Sequence, residues 1–534
     1  MNKNRILILL FYVLLISDVY SQTWLRIYYD SNIINPKKIY ESYDKGYVLA
    51  GYCYSNPQHY YGWLMKTDVN GYKRWTKYFG DPFSFSAFSS SKVTSDGGMV
   101  LIGDTYEYLN KDNPLIVKIN SCGEKEWCRI YKSSNPLAGG IDIVEIQGGG
   151  FIALFRNWIY QMEQNIWLFR LDSLGNIIWQ QNYVADPNIF YSPDARNLIR
   201  TSDSRFIITG WAYSPDSLYP GYKILKIFHV KVTVDGVSLF QVPWGNNNGI
   251  ISDEGHSCVE DVNHNLLTPG RRARNAIPYG DSPCLYKSWS TGIPMLFHDL
   301  NTGSDGGGGT TINWFQDSTL AISSMWSTFN GVDTLAVIKT DQTGNILKTK
   351  PIVFNDPIGA LWGSDITFNN RVIVTGTLSA GACSVKLTSN LEYDSIYTQP
   401  FTYDSLCPHQ IVTDTVPLND CSVVTNIFNP SRDKEKIKLH IYPNPAKNTI
   451  TIEMPQYITR QSSGYGVTAT TYYHQWNTTT LEIYDLFGKL MYSKEISKKT
   501  EKVELNVSSW HAGMYLARVV FMNEVVAGAK FVVE

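Results

Sequence analysis

Trp63–Gly80 reads WLMKTDVNGYKRWTKYFG, Leu115–Lys132 reads LIVKINSCGEKEWCRIYK, and Trp167–Val184 reads WLFRLDSLGNIIWQQNYV. Each joins an alternating apolar strand, a polar turn ending in glycine, and a second strand carrying Trp and Tyr. The turn glycines Gly71, Gly123 and Gly175 lie 52 residues apart, and Trp75, Trp127 and Trp179 keep that interval. Fainter copies carry Gly236, Gly292 and Gly344, and another near Lys386 has lost the glycine. A basic residue precedes each turn: Lys66, Lys118, Arg170, Lys231, Lys287, Lys339 and Lys386. Upstream of each copy lie two further apolar strands around a short polar turn, such as SDGG at Ser95 or QGGG at Gln147. The unit is therefore four short antiparallel strands in roughly 50–60 residues. One such meander cannot bury both faces, so it needs neighbours. A period of ~40–50 residues with four strands per unit predicts a β-propeller. Seven copies predict seven blades between residues 22 and 421, with six or eight kept open. The orphan strand TWLRIYYD, from Thr23, resembles the Trp/Tyr strand and is expected to complete the last blade.

The repeat also resembles the propeller repeats widespread in exported proteins of Gram-negative bacteria. That resemblance covers about residues 23–410 and is strong for three copies.

Composition agrees with an all-β chain. Among 534 residues there are Gly 40, Tyr 35, Phe 22 and Trp 15, and only 18% are charged. Aromatic and β-branched residues favour strands. A formal net charge of −2 argues against a nucleic-acid partner. Lys3 and Arg5 precede an unbroken apolar run, Ile6–Ile16, which is too short for a bilayer span of roughly 20 residues. With Val19 and Ser21 before the expected cut, residues 1–21 read as a signal peptide for the Sec translocon.

Export permits disulfides among the eight cysteines. Proximity in sequence suggests Cys122 with Cys128, Cys258 with Cys284, and Cys407 with Cys421, leaving Cys53 and Cys383 to meet across the chain.

Periodicity stops near Ser422. Residues 422–438 read as a charged linker. Residues 439–534 show period-two alternation with turns, a six- or seven-stranded Ig-like β-sandwich. YPNPA at Tyr442, IYDLFGK at Ile483, the Gly513-Met514-Tyr515 turn and the final Lys530–Val533 strand closely resemble the C-terminal sorting domain of the type IX secretion system, type A. The residues carrying the resemblance are Tyr442, Pro443, Asn444, Pro445, Tyr484, Asp485, Gly488, Gly513, Tyr515, Lys530 and Val532. A polar stretch from about Gln456 to Thr479 departs from it and reads as an inserted loop. The resemblance implies the type IX outer-membrane translocon and its sortase-like processing protease as partners. It also implies secretion, or attachment to the outer surface of the outer membrane of a Gram-negative bacterium.

Chemistry is harder to find. HExxH, GxSxG and GxxxxGK[ST] are absent from the sequence. No cofactor is indicated. The turns TDVNG, LDSLG and TDQTG admit structural calcium, but Asp, Asn and Gly also serve tight turns for backbone reasons. His256 and His264 lie near several carboxylates, and a solvated loop is expected there, not a metal centre. The recurring tryptophans read as packing between units. Non-repeating aromatics after the second strand are the binding candidates: Tyr54, Tyr60, Tyr61, Trp158, Trp211, Tyr213 and Trp326. They are expected in variable loops, where function usually sits. The expected role is binding or adhesion to an extracellular glycan or protein. The alternatives are a propeller-based glycoside hydrolase or lyase acting on extracellular polysaccharide, and a structural surface-layer protein. The missing motifs favour binding or structure over catalysis.

Overall fold

A computed structural model describes residues 23–424, 437–454 and 479–534, apart from short loops within them. The signal segment, Trp326, Gly488 and most of the polar stretch after Met454 lie outside the described residues, and of Trp158 only the backbone is described. The chain divides into two compact units, Met1–Ile427 and Phe428–Glu534. The described residues contain strands and no helix.

The first unit is a succession of antiparallel meanders. The first comprises Ile33–Glu41, Tyr47–Ser55, His59–Thr67 and Lys73–Phe79, paired in that order. The second comprises Phe85–Val93, Met99–Glu107, Lys111–Ile119 and Lys125–Tyr131. The strand Ile33–Glu41 packs against Phe85–Val93 of the next meander and against Ile358–Ile366 of the last. The succession thus closes on itself. The last meander holds three strands from its own stretch, and Leu25–Tyr28 adds the fourth by pairing with Gly381–Leu387. The orphan N-terminal strand does what its likeness to the Trp/Tyr strand predicts.

The repeat explains how neighbours are held. Tyr131 donates its hydroxyl hydrogen bond to the carbonyl of Gly175 at 2.8 Å, and Tyr183 does the same to Gly236 at 2.7 Å. Trp127 lies so close to the next turn that a Cβ on Gly175 would stand 2.7 Å from its ring. Gly175 also has φ of +79°, a region that side chains disfavour. The Trp–Tyr pair of one outer strand therefore grips the glycine turn of the following meander. At the seam the grip comes from the N-terminus: Trp24 donates to Val69 O at 2.8 Å, and Tyr28 to Gly71 O at 3.0 Å. A fully buried aromatic removes roughly 150–250 Å² from water, worth about 4–6 kcal/mol.

The recurring basic residue has a different partner, an aspartate in the turn between the first two strands. Lys66 reaches Asp44 at 2.5 Å, Lys118 Asp96 at 2.7 Å, Lys231 Asp203 at 3.0 Å, Lys287 Asp261 at 2.8 Å and Lys339 Asp317 at 2.9 Å. Lys386 pairs instead with Asp394 at 3.2 Å. The third meander has the QGGG turn and no aspartate there, and Arg170 has no carboxylate partner among the described residues. The turn carboxylates considered for calcium are engaged locally. Asp68, Asp172 and Asp341 each accept two backbone N–H bonds of their own turns.

The cysteine pairing differs from the local one expected. Cys122 bonds Cys407 and Cys128 bonds Cys421, across 285 and 293 residues. Cys258, Cys284, Cys53 and Cys383 are buried free thiols. The reason is a strap after the last meander. Its strand Asp414–Val416 pairs in parallel with Lys73–Phe79, and Ser422–Val424 pairs in parallel with Lys125–Tyr131. The strap so covers the outer edges of the first two meanders, and its final strand occupies the start of the stretch expected as linker. Lys77–Asp414 at 2.7 Å and Arg74–Asp404 at 3.1 Å pin it further.

The second unit has a five-stranded and a three-stranded sheet around one apolar core, including Ile450, Leu481, Ile483, Val519 and Phe531. Short strands at Ile437–Lys438 and His440–Tyr442 bring the number above the six or seven expected. The YPNPA segment meets the last strand. Asn444 Oδ1 accepts from Val532 N at 2.9 Å, and Ala446 N donates to Val532 O at 2.8 Å. Gly513 begins the strand Gly513–Phe521, where Tyr515 is buried and its hydroxyl donates to His511 O at 2.8 Å. Tyr484 donates to Glu482 at 2.9 Å, Asp485 accepts from Lys489 N at 2.9 Å, and Lys530 is exposed.

Candidate functional site

Along the first strand of each meander the ladder skips one residue. The register breaks between Pro36 and Lys38, Phe88 and Ser90, Gly140 and Asp142, Ala195 and Asn197, Gly309 and Thr311, and Leu361 and Gly363. The skipped residues are Lys37, Ser89, Ile141, Arg196, Thr310 and Trp362. In the fifth meander the strand stops at Gly255, and His256 takes the corresponding place. A bulge bends its strand and re-aims a side chain, which is why bulges recur beside functional sites. A glycine on the second strand makes room for it. A Cβ on Gly51 would stand 2.2 Å from Asn35 O, and one on Gly210 2.1 Å from Asp194 O. This is the physical reason for the glycine inside the recurring strands GYVLAGY and RFIITGW.

Two of the bulge side chains meet, and others engage ion pairs and rings beside them. Lys37 Nζ lies 4.5 Å from the ring centre of Trp362 and 5.5 Å from that of Tyr52. Arg196 pairs with Asp194 at 2.8 Å and lies over Trp211 at 5.7 Å. Glu254 is 3.1 Å from Arg271, which also reaches Asp281 at 2.6 Å. Asp104 accepts from Gly140 N at 2.8 Å and stands 3.5 Å from Arg156.

The charge of Arg196 is felt beyond its own meander. Burial, with the charge of Arg196 added, lowers the Lys37 amine to about 8. Burial and the cations Arg196 and Arg271 lower His256 to about 3, so its imidazole is neutral. Burial raises both Asp194 and Glu254 against the opposing pull of Arg196. Arg196 thus acts on groups from the first, fourth and fifth meanders.

Several buried polar atoms here lack hydrogen-bond partners: Asn35 Oδ1, Asp194 Oδ1, Trp211 Nε1, His256 Nε2 and Ser282 Oγ. Native structures rarely leave such atoms unsatisfied without water or a ligand. A deeper layer is satisfied. Asp142 accepts from Ser90 at 2.7 Å, Asn197 at 3.0 Å and Leu198 N at 2.9 Å, tying three inner strands together.

The aromatic candidates lie at the same strand ends, within strands where loops were expected. Tyr54 and Tyr60 stack with ring centres 5.3 Å apart, and Tyr60 lies 5.8 Å from Tyr52. Trp211 meets Tyr213 edge-on at 6.1 Å. Tyr61 packs partly against the core beside Trp63 and does not join the cluster. His256 is mostly buried, contrary to the solvated loop expected. His264 sits in a turn at the other end of its meander, bonded to Ser202 at 2.8 Å. The two do not form one site. Sequence reasoning missed Lys37, Asp194, Arg196 and Trp362. Their signal was the residue skipped beside each strand glycine, at 37, 89 and 141 with the 52-residue period.

No curated protein sequence matches the chain. Among solved structures, a protein of unknown function from Dyadobacter fermentans has 12% identity over 58% of this chain and 96% of its own, with a TM-score of 0.42. An ulvan lyase has 9% identity over 67% and 94%, TM-score 0.47. A puromycin hydrolase has 9% identity over 79% and 59%, TM-score 0.43. At these TM-scores the likenesses carry no argument about activity. The tail is different: residues 440–534 match the family described as Secretion system C-terminal sorting domain. Residues 440–534 are therefore a type IX sorting domain, which implies handling by that secretion system.

Proposed function

We propose that the first unit is a seven-bladed β-propeller that binds an extracellular glycan at the mouth formed by its strand bulges, and that type IX export carries it to the cell surface or beyond. The blade count rests on seven four-stranded units, the last completed by Leu25–Tyr28. The observation carrying the binding role is the set of unsatisfied buried polar atoms beside aromatic rings: Asn35 Oδ1, cross-strand from Tyr52, and Asp194 Oδ1 and Trp211 Nε1, on residues paired across one ladder. Sugars offer hydroxyls to such atoms and flat C–H faces to aromatic rings.

A glycan array probed with the secreted mature protein tests the reading. Binding that is lost in Trp211→Ala, in a variant with an unchanged melting temperature, supports it. Absence of binding to any glycan, or binding indifferent to Trp211, rejects it.

A further inference from the structure

Lys37 is the most anomalous cation at the mouth. It lies on a bulge, half-buried, with aromatic rings on two sides, and no carboxylate partners it among the described residues. The charge that acts on it is another cation, Arg196. Burying an unpaired charge is unfavourable unless something compensates it. The other mouth cations are compensated internally: Arg271 by Glu254 and Asp281, and Arg196 in part by Asp194.

We infer that the half-buried space at Lys37, beside Trp362 and Tyr52, is a subsite for the anionic group of an acidic sugar, with those two rings as platforms for the sugar. This rests on the glycan reading above and specifies its ligand class. A carboxylate or sulfate ester entering there offsets the charge of Arg196 felt at Lys37 and supplies the partner that Lys37 lacks. Lys37 meets either oxyanion as a compact point charge. The unsatisfied Asn35 Oδ1, cross-strand from Tyr52, then meets a neighbouring hydroxyl.

The test uses the mature full-length protein and calorimetric titration with three probes: an oligogalacturonate, a carrageenan oligosaccharide and a neutral cello-oligosaccharide. The subsite predicts that one or both acidic probes bind at least tenfold more tightly than the neutral one. The carboxylate and sulfate arms identify which oxyanion it takes. Lys37→Met should cost the acidic probe at least tenfold, leave the neutral probe unchanged, and not lower the melting temperature, because no partner is orphaned. Lys37→Arg should retain binding. Affinity for the acidic probe should also fall as pH rises through about 8, where Lys37 loses its proton, with Tyr52 and Arg196 as the other charged or titratable groups facing it. The fall should disappear in Lys37→Arg. Equal affinity for all probes overturns the subsite and leaves the glycan site standing. Binding of none overturns both. A Lys37→Met variant that loses stability but not selectivity shows a structural lysine and also overturns the subsite.

Discussion

Removing both disulfides of the strap should destabilise the first unit by more than twice the loss of one. Cys122–Cys407 closes a loop of 285 residues, which the chain-entropy relation values at about 5–6 kcal/mol. Once it is closed, Cys128–Cys421 adds only a small loop. Its two arms run from residue 122 to 128 and from 407 to 421, roughly 20 residues in all, worth about 3 kcal/mol. The converse holds because the bridges are nearly parallel. Either one alone keeps the long loop closed, so removing one pair should cost about 3 kcal/mol and removing both about 8–9 kcal/mol. With an unfolding entropy of ~2.1 cal/mol/K per residue over roughly 400 residues, that is about 4 °C for either pair and about 10 °C for both. Scanning calorimetry of the mature protein reads this directly. The variants are Cys122→Ser/Cys407→Ser, Cys128→Ser/Cys421→Ser and their combination. The four free thiols serve as a control. Burial pushes Cys53, Cys258 and Cys383 up to about 12, so they should resist thiol reagents in the native state. Strictly additive losses, or peptide mapping that recovers a Cys122–Cys128 bond, would refute the reasoning.

Lys66→Met strands the buried carboxylate of Asp44, since the two side chains are 2% and 1% exposed; it should cost about 3–5 kcal/mol in urea unfolding, whereas Lys348→Met, in an exposed pair with Glu392, should cost less than about 1 kcal/mol. Asp365 accepts from Glu41 N across the seam, and burial pushes its carboxyl up to about 6. A raised pKa means that the folded state holds the proton more tightly. Stability should therefore fall by roughly 2–3 kcal/mol as pH rises from about 4 to 6, and Asp365→Asn should flatten that limb of the pH–stability curve. Deleting Lys530–Glu534 removes the backbone partners of Asn444 and Ala446. A reporter fused to residues 435–534 behind a Sec signal should reach the medium in a type IX-competent cell, and the truncated fusion should stay in the periplasm.

The scaffold was readable because its packing repeats. Trp127, Tyr131 and Gly175 recur at fixed spacing since each outer strand must grip the next turn, and Thr23–Asp30 carried the same pattern at the seam. The lysine tie was equally periodic, with Lys66, Lys118 and Lys339 each 22 residues after their aspartates. The strap was not readable. Its cysteines answer to residues almost 300 positions away, and proximity in sequence favoured the wrong partners. The mouth was half readable. Trp211 stood out as an aromatic outside the repeat, but Lys37, Arg196 and Trp362 acquire meaning only once each is seen at a skipped ladder position. The period marks the position of Lys37 but not that its strand skips a ladder place there.

The most direct test of the account is a crystal structure of the mature protein with an acidic oligosaccharide that it binds. Sugar rings should lie against Trp362 and Trp211, with the anionic group on Lys37. Density for the sugar on the turn face, beside the Asp203–Lys231 pair, or on the outer strands would contradict it.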